Sequence, residues 1–421
     1  MGFQSLADWL AYQETLHPKA IDLGLERVRA VLGRLELPAS PALTISVAGT
    51  NGKGSSIAML DSILRASGYR VGTYTSPHIL RYNERISIDG KPVDDQSLLR
   101  VFERIEGARG GLSLSFFEFG TLAALILFSE HPLDFRLLEV GLGGRLDAVN
   151  VVDADLALIA SIDIDHQEWL GDDRAAIGLE KAGIMRRGRP AVLGDRSIPD
   201  EVLDFARDLG VVLYRSGIEF DYERGDSSWF FRSGEKDIGP LPQPALKGEH
   251  QYLNAAAVLQ CLELLPPQLR PSVSAVVAGL SSVRLPGRFQ LFEGPVPVLL
   301  DVAHNPQAVR VLADFLDRQY PDVGIRAVFA VMRDKDVDSM VRVMKPRVLE
   351  WYLAPLNMTR AATPVELTEI LHNAGAGEVF TGYAGVLDAV SSARIASRPG
   401  DLLLVFGSFF LVSDYLATFD C

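Results

Sequence analysis

Thr44-Ile-Ser-Val-Ala-Gly-Thr-Asn-Gly-Lys-Gly-Ser-Ser56 decides how the rest of this 421-residue chain is read. The apolar and β-branched residues Thr44, Ile45, Val47 and Ala48 read as a strand running into a loop that holds Gly49, Gly52, Lys53 and Gly54. Ile57, Leu60, Ile63 and Leu64 then recur at helical spacing until Gly68 stops the helix. A strand, a glycine-rich turn and a helix N-terminus together form an anion cradle. Glycines let backbone N–H groups approach phosphate oxygens, the helix dipole favours negative charge, and lysine adds a point charge. The spacing departs from G-x-x-x-x-G-K-[S/T]. Val47 stands where that pattern has its first glycine, and Gly54 separates Lys53 from Ser55. Taken alone, the segment also fits an accidental glycine turn; its neighbours argue otherwise.

The length exceeds one ordinary core, so two domains are expected. Hydrophobic residues make up 48% and charged residues 23% of the chain, a folded composition rather than a disordered one. The net charge of −13 disfavours nucleic acid as a partner, because such binders present a basic face. Two cysteines, Cys261 and Cys421, are too few for a disulfide framework or a cysteine metal site. Cys261 lies in an apolar run and reads as a small core residue; Cys421 is incidental. The first ten residues include Asp8 and lack a long apolar centre, and the apolar run 122–128 is too short to span a bilayer. No membrane association is expected, and the location is expected to be cytoplasmic.

Strand-like and helix-like segments alternate, which predicts an α/β fold with mostly parallel sheets flanked by helices. Strands are expected near 43–47, 71–75, 135–140 and 155–162. Residues 222–231 read as two short strands around a Gly-Asp turn, an antiparallel segment. Pro240, Pro242 and Pro244 read as a stiff connector to the helix that contains Asn254. A second α/β unit follows, with strands at 298–301, 326–331, 349–354 and 402–406. Thr363-Pro-Val-Glu366 announces one of its helices as a capping box with proline at the first position. The boundary falls where Pro286, Gly287, Gly294, Pro295 and Pro297 cluster, giving domains 1–287 and 288–421.

In open parallel sheets, ligands bind beyond the carboxyl ends of the strands. Polar signals fall at those ends here. Lys53 follows the first strand. Ser76 and His78 follow the second, in Thr75-Ser-Pro-His78. Glu139 closes the third, just before Gly141-Leu-Gly-Gly-Arg-Leu-Asp147. Asp163, Asp165 and His166 follow the fourth. Any one of these could be a cap or a surface group; their convergence on one edge argues for a site. Phosphoryl transfer needs a divalent cation, and Ser76 and Glu139 suit magnesium, whereas His166 is a softer ligand than magnesium usually takes. Lys181, in Gly178-Leu-Glu-Lys-Ala-Gly183, lies on a helix beginning near Asp172 and Asp173; periodicity alone reads it as a solvated lysine. Asp301-Val-Ala-His-Asn-Pro306 again follows a strand and opens a helix, suiting a nucleotide or phosphate, with a helix N-cap as the plainer reading of Asp301. Arg288 lies at the expected boundary. Asp334-Lys-Asp336 and Arg360 are further candidates for glutamate or phosphate contacts.

Together these motifs resemble the Mur ligase superfamily, in its bifunctional dihydrofolate synthase/folylpolyglutamate synthase branch. The resemblance rests on Gly49-Thr-Asn-Gly-Lys-Gly-Ser55, Leu16-His-Pro-Lys-Ala-Ile-Asp-Leu-Gly-Leu-Glu-Arg27, Thr75-Ser-Pro-His78, Ser115-Phe-Phe-Glu-Phe119, Leu138-Glu-Val-Gly-Leu-Gly-Gly-Arg-Leu-Asp-Ala148, Asp163-Ile-Asp-His166, Glu180-Lys-Ala-Gly-Ile184, Leu285-Pro-Gly-Arg-Phe289 and Asp301-Val-Ala-His-Asn-Pro306. It covers nearly the whole chain, in order. It implies a P-loop-type N-terminal domain, like the Mur ligase central domain, and a smaller Rossmann-like C-terminal domain. It further implies that Gly49, Thr50, Asn51, Gly52, Lys53, Gly54 and Ser55 hold the ATP phosphates, with Asn254, Arg288, Asp301 and His304 completing the nucleotide site. Ser76, Glu139 and His166 would hold Mg²⁺. Lys181 matches the position that CO₂ carbamylates in the superfamily, giving an N6-carboxylated ligand for a second Mg²⁺. Lys53, Lys181 and His304 would be the catalytic set. Gly24, Leu25, Glu26 and Arg27, then Ser115, Phe116, Phe117 and Glu118, then Leu146, Asp147 and Ala148 would bind 7,8-dihydropteroate. Phe116 and Phe117 suit a flat pterin ring, although two phenylalanines before an apolar helix are otherwise ordinary core.

The implied reaction is ATP-dependent amide formation between a pteroate or tetrahydrofolate carboxylate and L-glutamate through an acyl phosphate, carried out by a monomer. Other readings are a ligase lacking the dihydropteroate activity, another Mur-type amide ligase, and a non-catalytic nucleotide-binding regulator. Cell-wall ligases of the superfamily carry an extra N-terminal domain for a UDP group. Here the loop starts at Gly49, so no such domain is expected. A regulator would bind ATP without glutamate-stimulated turnover and leaves the segments at 22–27 and 116–118 unexplained.

Overall fold

The computed structural model describes residues 3–19, 21–234 and 236–419. Cys421 lies outside them, and Cys261 is buried. The chain divides into two compact units. One comprises the described residues of Met1–Ala245 with Gln251–Arg284, the other those of Leu246–His250 with Leu285–Cys421. The division thus falls between 284 and 285 rather than 287 and 288, and a short upstream segment joins the second unit. Packing explains the exception. A Cβ on Gly248 would stand 2.7 Å from the Phe289 ring, and the His250 and Phe289 rings meet edge-on at 5.7 Å.

The first unit is built on strands β1 (Leu43–Ala48), β2 (Val71–Tyr74), β3 (Ile86–Ile88), β4 (Lys91–Pro92), β5 (Phe135–Glu139), β6 (Leu156–Ile159), β7 (Pro190–Leu193) and β8 (Val212–Arg215). They form one sheet in the order β4-β3-β2-β5-β1-β6-β7-β8. The six strands from β2 to β8 in that order are parallel, and β3 and β4 extend one edge antiparallel. Central strand β1 is buried along nearly its whole length, as a parallel strand covered on both faces must be. Its register sets Val47 opposite Glu139 on β5 and Leu158 on β6. Three strand ends expected to carry polar groups are therefore neighbours. Strands β7 and β8, four residues each, lie outside the expected strands because their apolar runs are too short to show periodicity.

The antiparallel segment has three strands, β9 (Phe220–Arg224), β10 (Ser228–Ser233) and β11 (Lys236–Pro242), ordered β11-β10-β9. The expected proline connector is thus partly a strand. Pro240 and Pro242 are tolerated because β11 is an edge, where a missing N–H breaks no central ladder. The indole Nε1 of Trp229 donates to Pro242 O at 2.8 Å and helps hold that edge.

The second unit holds β12 (Gln290–Phe292), β13 (Val298–Asp301), β14 (Ile325–Phe329), β15 (Val348–Leu353), β16 (Glu378–Phe380) and β17 (Leu402–Phe406), in the order β12-β13-β17-β14-β15-β16. All neighbours are parallel except β12 with β13. Leu299, Phe329, Trp351 and Phe406 sit at the centre of its own core. The capping box at Thr363 and Glu366 opens the helix Pro364–Ala374 with proline in its first turn. The fold is the mixed α/β architecture that the alternation predicts.

Candidate active site

The loop after β1 is shaped by two glycines and stitched to the end of β6. Gly49 has φ +154° and Gly52 has φ +85°. A Cβ on Gly52 would stand 2.7 Å from Asn254 Oδ1, so the left-handed conformation and the close approach both require glycine. Thr50 N donates to Ser161 O at 2.8 Å, and Thr50 Oγ1 donates to Asp163 O at 2.8 Å. Asn51 N donates to Ser161 Oγ at 2.9 Å. The helix Lys53–Ala66 starts immediately afterwards. Lys53 Nζ turns back to donate to Gly49 O at 2.8 Å and Thr50 O at 3.3 Å, which holds the ammonium over the loop. On the helix side, Gln251 Nε2 donates to Ser55 Oγ at 3.3 Å and Asn254 Nδ2 to Gln251 Oε1 at 3.0 Å. Gln251 was not among the expected site residues. Its signal was a polar pair three apart, Gln251 and Asn254, in the buried first turns of the helix His250–Glu263.

Beside the loop, Lys53, Asp165, His166 and Lys181 line one cleft together with residues 140–143. Lys181 is 4% exposed, not solvated as its periodicity suggests. Among the described residues its Nζ makes no hydrogen bond or salt bridge. Burial first, and then the Lys53 charge, lower its pKa to about 7, with Asp165 opposing. Its position follows from Gly144: a Cβ there would stand 2.7 Å from Glu180 O and 2.9 Å from Lys181 O. Arg145 N also donates to Glu180 O at 2.8 Å. The Gly141–Asp147 loop and the helix Arg174–Ala182 therefore touch through backbone, which fixes Lys181 at the cleft. His166 has φ +53°, and its N–H donates to Asp165 Oδ1 at 2.8 Å.

Ser76 N donates to Glu139 Oε2 at 3.3 Å, which places these two residues side by side. Among the described residues, no three His, Cys, Asp or Glu side chains converge as a cage for a metal. The donor set is a hydroxyl, a buried carboxylate and an imidazole. The two oxygen donors suit a hard cation that keeps several of its waters, as magnesium does, whereas the imidazole is a softer ligand than that cation usually takes.

The three segments expected to bind pteroate come together. Gly24 N donates to Leu146 O at 3.2 Å. Arg27 Nε donates to Glu118 at 3.1 and 3.3 Å. Ser115 and Glu118 form a capping box at the start of the helix Phe116–Ser129, so this pair also sets where that helix begins. The Phe117 ring lies 5.7 Å from that of Tyr74, and the Arg85 guanidinium lies over Phe116 at 5.3 Å. Arg85 Nε also donates to His78 Nδ1 at 2.9 Å. Burial, with help from Arg85, lowers His78 to about 4. Asp147 accepts from the N–H groups of Gly141, Leu142 and Val149 at 3.1, 2.9 and 3.0 Å, holding the glycine loop in shape. Burial nevertheless pushes its carboxyl up to about 7. Leu146 and Ala148 flank it.

In the second unit, Asp301 does not cap a helix. Asn305 caps Pro306–Gln319, accepting from Ala308 N at 2.9 Å. Asp301 instead accepts from Phe289 N at 3.1 Å and Ala303 N at 2.8 Å. Burial raises it to about 6 against the pull of Arg288 and those donors. Arg288 lies over the Phe409 ring at 5.1 Å, and the His304 ring is 5.6 Å from the same ring. Phe409 thus gathers two expected residues. A phenylalanine after a strand end carries no chemical signal, and sequence reasoning passed over it. Arg360 Nη2 donates to Asp334 Oδ1 at 3.2 Å, which brings those two candidates together.

The chain is similar to known proteins over nearly its whole length. Residues 287–409 match the family described as Mur ligase, glutamate ligase domain. Over 415 residues the chain is 42% identical to the dihydrofolate synthase/folylpolyglutamate synthase of Escherichia coli strain K12, covering 99% of this chain and 96% of that protein. The solved structure of E. coli FolC in complex with DHPP and ADP superposes with a TM-score of 0.92 at 41% identity, covering 99% of this chain and 98% of that one. A bifunctional folylpolyglutamate synthase/dihydrofolate synthase crystallised with Mn, AMPPNP and L-glutamate superposes with a TM-score of 0.90 at 42% identity, covering 99% and 98% of the two chains.

Proposed function

Because the chain belongs to the dihydrofolate synthase/folylpolyglutamate synthase family of Mur-type ligases, we propose that it joins L-glutamate to 7,8-dihydropteroate and to tetrahydrofolates, driven by ATP cleavage. A free carboxylate is a poor electrophile and must first be activated. A carboxylate oxygen of the acceptor attacks the γ-phosphorus of ATP, the bond to ADP breaks, and an acyl phosphate forms. The neutral amine of glutamate then attacks the acyl carbon. The tetrahedral intermediate expels inorganic phosphate, and the amine proton passes to solvent. The chain's task is positioning and charge stabilisation.

The observation that carries this reading is the convergence of Lys53, His166 and Lys181 on one cleft at the carboxyl end of a parallel sheet. The loop from Gly49 to Ser55 receives the triphosphate through its N–H groups, and Lys53 stabilises charge on the transferring oxygens. Asn254 orders the same loop. Arg288, Asp301 and His304 are the nucleotide-contacting group of the second unit. Ser76, Glu139, His166 and an N6-carboxylated Lys181 would hold magnesium, two ions in this reading, which neutralises phosphate charge. Burial supports the carboxylation of Lys181. Its amine is substantially neutral near pH 7 and can add to CO₂, forming an N–C bond and releasing one proton. Residues 24–27, 115–118 and 146–148 bind the pteroate. Among the described residues no helix is long and apolar enough to cross a membrane, and we read the protein as a cytoplasmic monomer.

Glutamate-dependent ADP release, measured with dihydropteroate and with tetrahydrofolate, tests the reading. Release with tetrahydrofolate alone would favour a folylpolyglutamate synthase without the dihydropteroate activity. Lys53→Ala should lower kcat on the order of a hundredfold or more with both acceptors, with an unchanged circular dichroism spectrum. Undiminished turnover in that variant would remove the loop from the mechanism.

A further inference from the structure

A chain of polar contacts runs through two residues assigned to pteroate, Arg27 and Glu118, and His17 within it has no role so far. His17 follows the helix Leu6–Leu16. Its Nδ1 lies 2.9 Å from Ser113 Oγ and its Nε2 lies 3.2 Å from Asp22 Oδ2. Carboxylates accept only, so in the neutral ring Nε2 donates to Asp22 and Nδ1 accepts from the Ser113 hydroxyl. Asp22 Oδ2 also accepts from Arg27 Nη1, and Asp22 O accepts from Arg27 Nη2 at 2.8 Å. Arg27 then reaches Glu118, which sits in the capping box two residues beyond Ser113. The contacts run from Ser113 through His17, Asp22 and Arg27 to Glu118, and the backbone between 113 and 118 joins the two ends.

We propose that His17 is a positioning residue of the dihydropteroate site, holding residues 22–27 against 113–118 through Asp22 and Ser113. The inference rests on the assignment of those segments to pteroate. The described residues from 17 to 24 lie in no helix or strand; the Gly24 N–H donates to Leu146 O, and side-chain contacts add the ties at His17 and Asp22. His17 has a side chain only 8% exposed, so its hydrogen bonds are shielded from water. Without it, Asp22 and Arg27 keep each other, but the loop loses its tie to Ser113. None of these residues lines the cleft of Lys53 and Lys181, so the loss falls on acceptor binding rather than on chemistry.

The test compares wild type with His17→Ala, His17→Gln and Ser113→Ala in glutamate-dependent ADP release, varying dihydropteroate and ATP separately. His17→Ala should raise KM for dihydropteroate about tenfold, the effect of one lost charge-assisted hydrogen bond, with KM for ATP and kcat nearly unchanged. Gln keeps a donor for Asp22 and should restore most of the KM. Ser113→Ala should raise it less. If His17→Ala does not fold, the Gln and Ser113 variants decide. An unchanged dihydropteroate KM in all three variants, or a parallel rise in both KM values, would overturn the inference alone. A wild type without dihydropteroate-dependent turnover would instead overturn the pteroate assignment, and this inference with it.

Discussion

A lysine ammonium that is 4% exposed gives up hydration that a surface lysine keeps. Lys181 loses that hydration without gaining a carboxylate at hydrogen-bonding distance among the described residues, and its neighbour Lys53 repels it. Conversion to a carbamate would replace the repulsion from Lys53 with an attraction and turn a cation into an anionic oxygen ligand, whose own desolvation a bound metal would offset. Lys181→Ala should therefore lower kcat on the order of a hundredfold, with part of the activity returned by added acetate or formate. Activity that is insensitive to these acids, and undiminished in a CO₂-depleted wild type, would count against carboxylation. Asp301 presents the opposite case. Burial lifts its carboxyl to about 6 from the ordinary 3.8, so the folded state holds the proton that the unfolded chain releases. The contribution of that proton to stability is full below about pH 4 and is lost as pH rises through about 6. Thermal melts of wild type and Asp301→Asn at a series of pH values should show wild type losing stability relative to the variant across that window. A difference independent of pH would refute the assignment.

Elements place these residues, and here sequence and structure part company in instructive ways. The β1 loop was legible because glycine and lysine spacing encodes local geometry. The pairing of β1 with β5 and β6 then brings Glu139 and the 161–166 segment beside it. The environment of Lys181 was not legible, since a periodic helix shows which residues share a face but not what covers it. The same holds for Gln251 and Phe409, whose significance comes from partners distant in sequence. Prolines misled at 240 and 242, because an edge strand tolerates what a central strand does not. For Asp301, two carboxamide or carboxylate side chains could have capped the following helix, and the nearer one, Asn305, does so. The most sensitive junction is Gly144 against the backbone of Glu180 and Lys181. Gly144→Ala must push that helix end away, costing roughly 1–3 kcal/mol by overpacking and displacing Lys181. We expect kcat to fall more than KM for ATP rises, alongside a lower melting temperature. Full activity in Gly144→Ala would show that the contact does not position the lysine.

Across the whole chain, each unit carries its own sheet and its own buried cluster. The second unit includes the short upstream segment Leu246–His250. The Leu299, Phe329, Trp351 and Phe406 cluster is assembled entirely from residues after 285, and the parallel ladder from β13 to β16 needs no strand from elsewhere. A fragment starting at Leu285 should therefore fold by itself and unfold cooperatively. It should nevertheless be less stable than the same residues in the intact chain. It lacks Gly248 and His250, which pack on Phe289, and Glu249, which pairs with Arg318 at 3.2 Å. Exposed ion pairs contribute little, so the packing on Phe289 should account for most of the deficit. Circular dichroism melts of the fragment, compared with the intact chain and its Phe289→Ala variant, separate the possibilities. A sigmoidal melt at reduced temperature fits a self-sufficient core. A broad, uncooperative one would mean that the second sheet depends on residues before 285 far more than its own packing indicates.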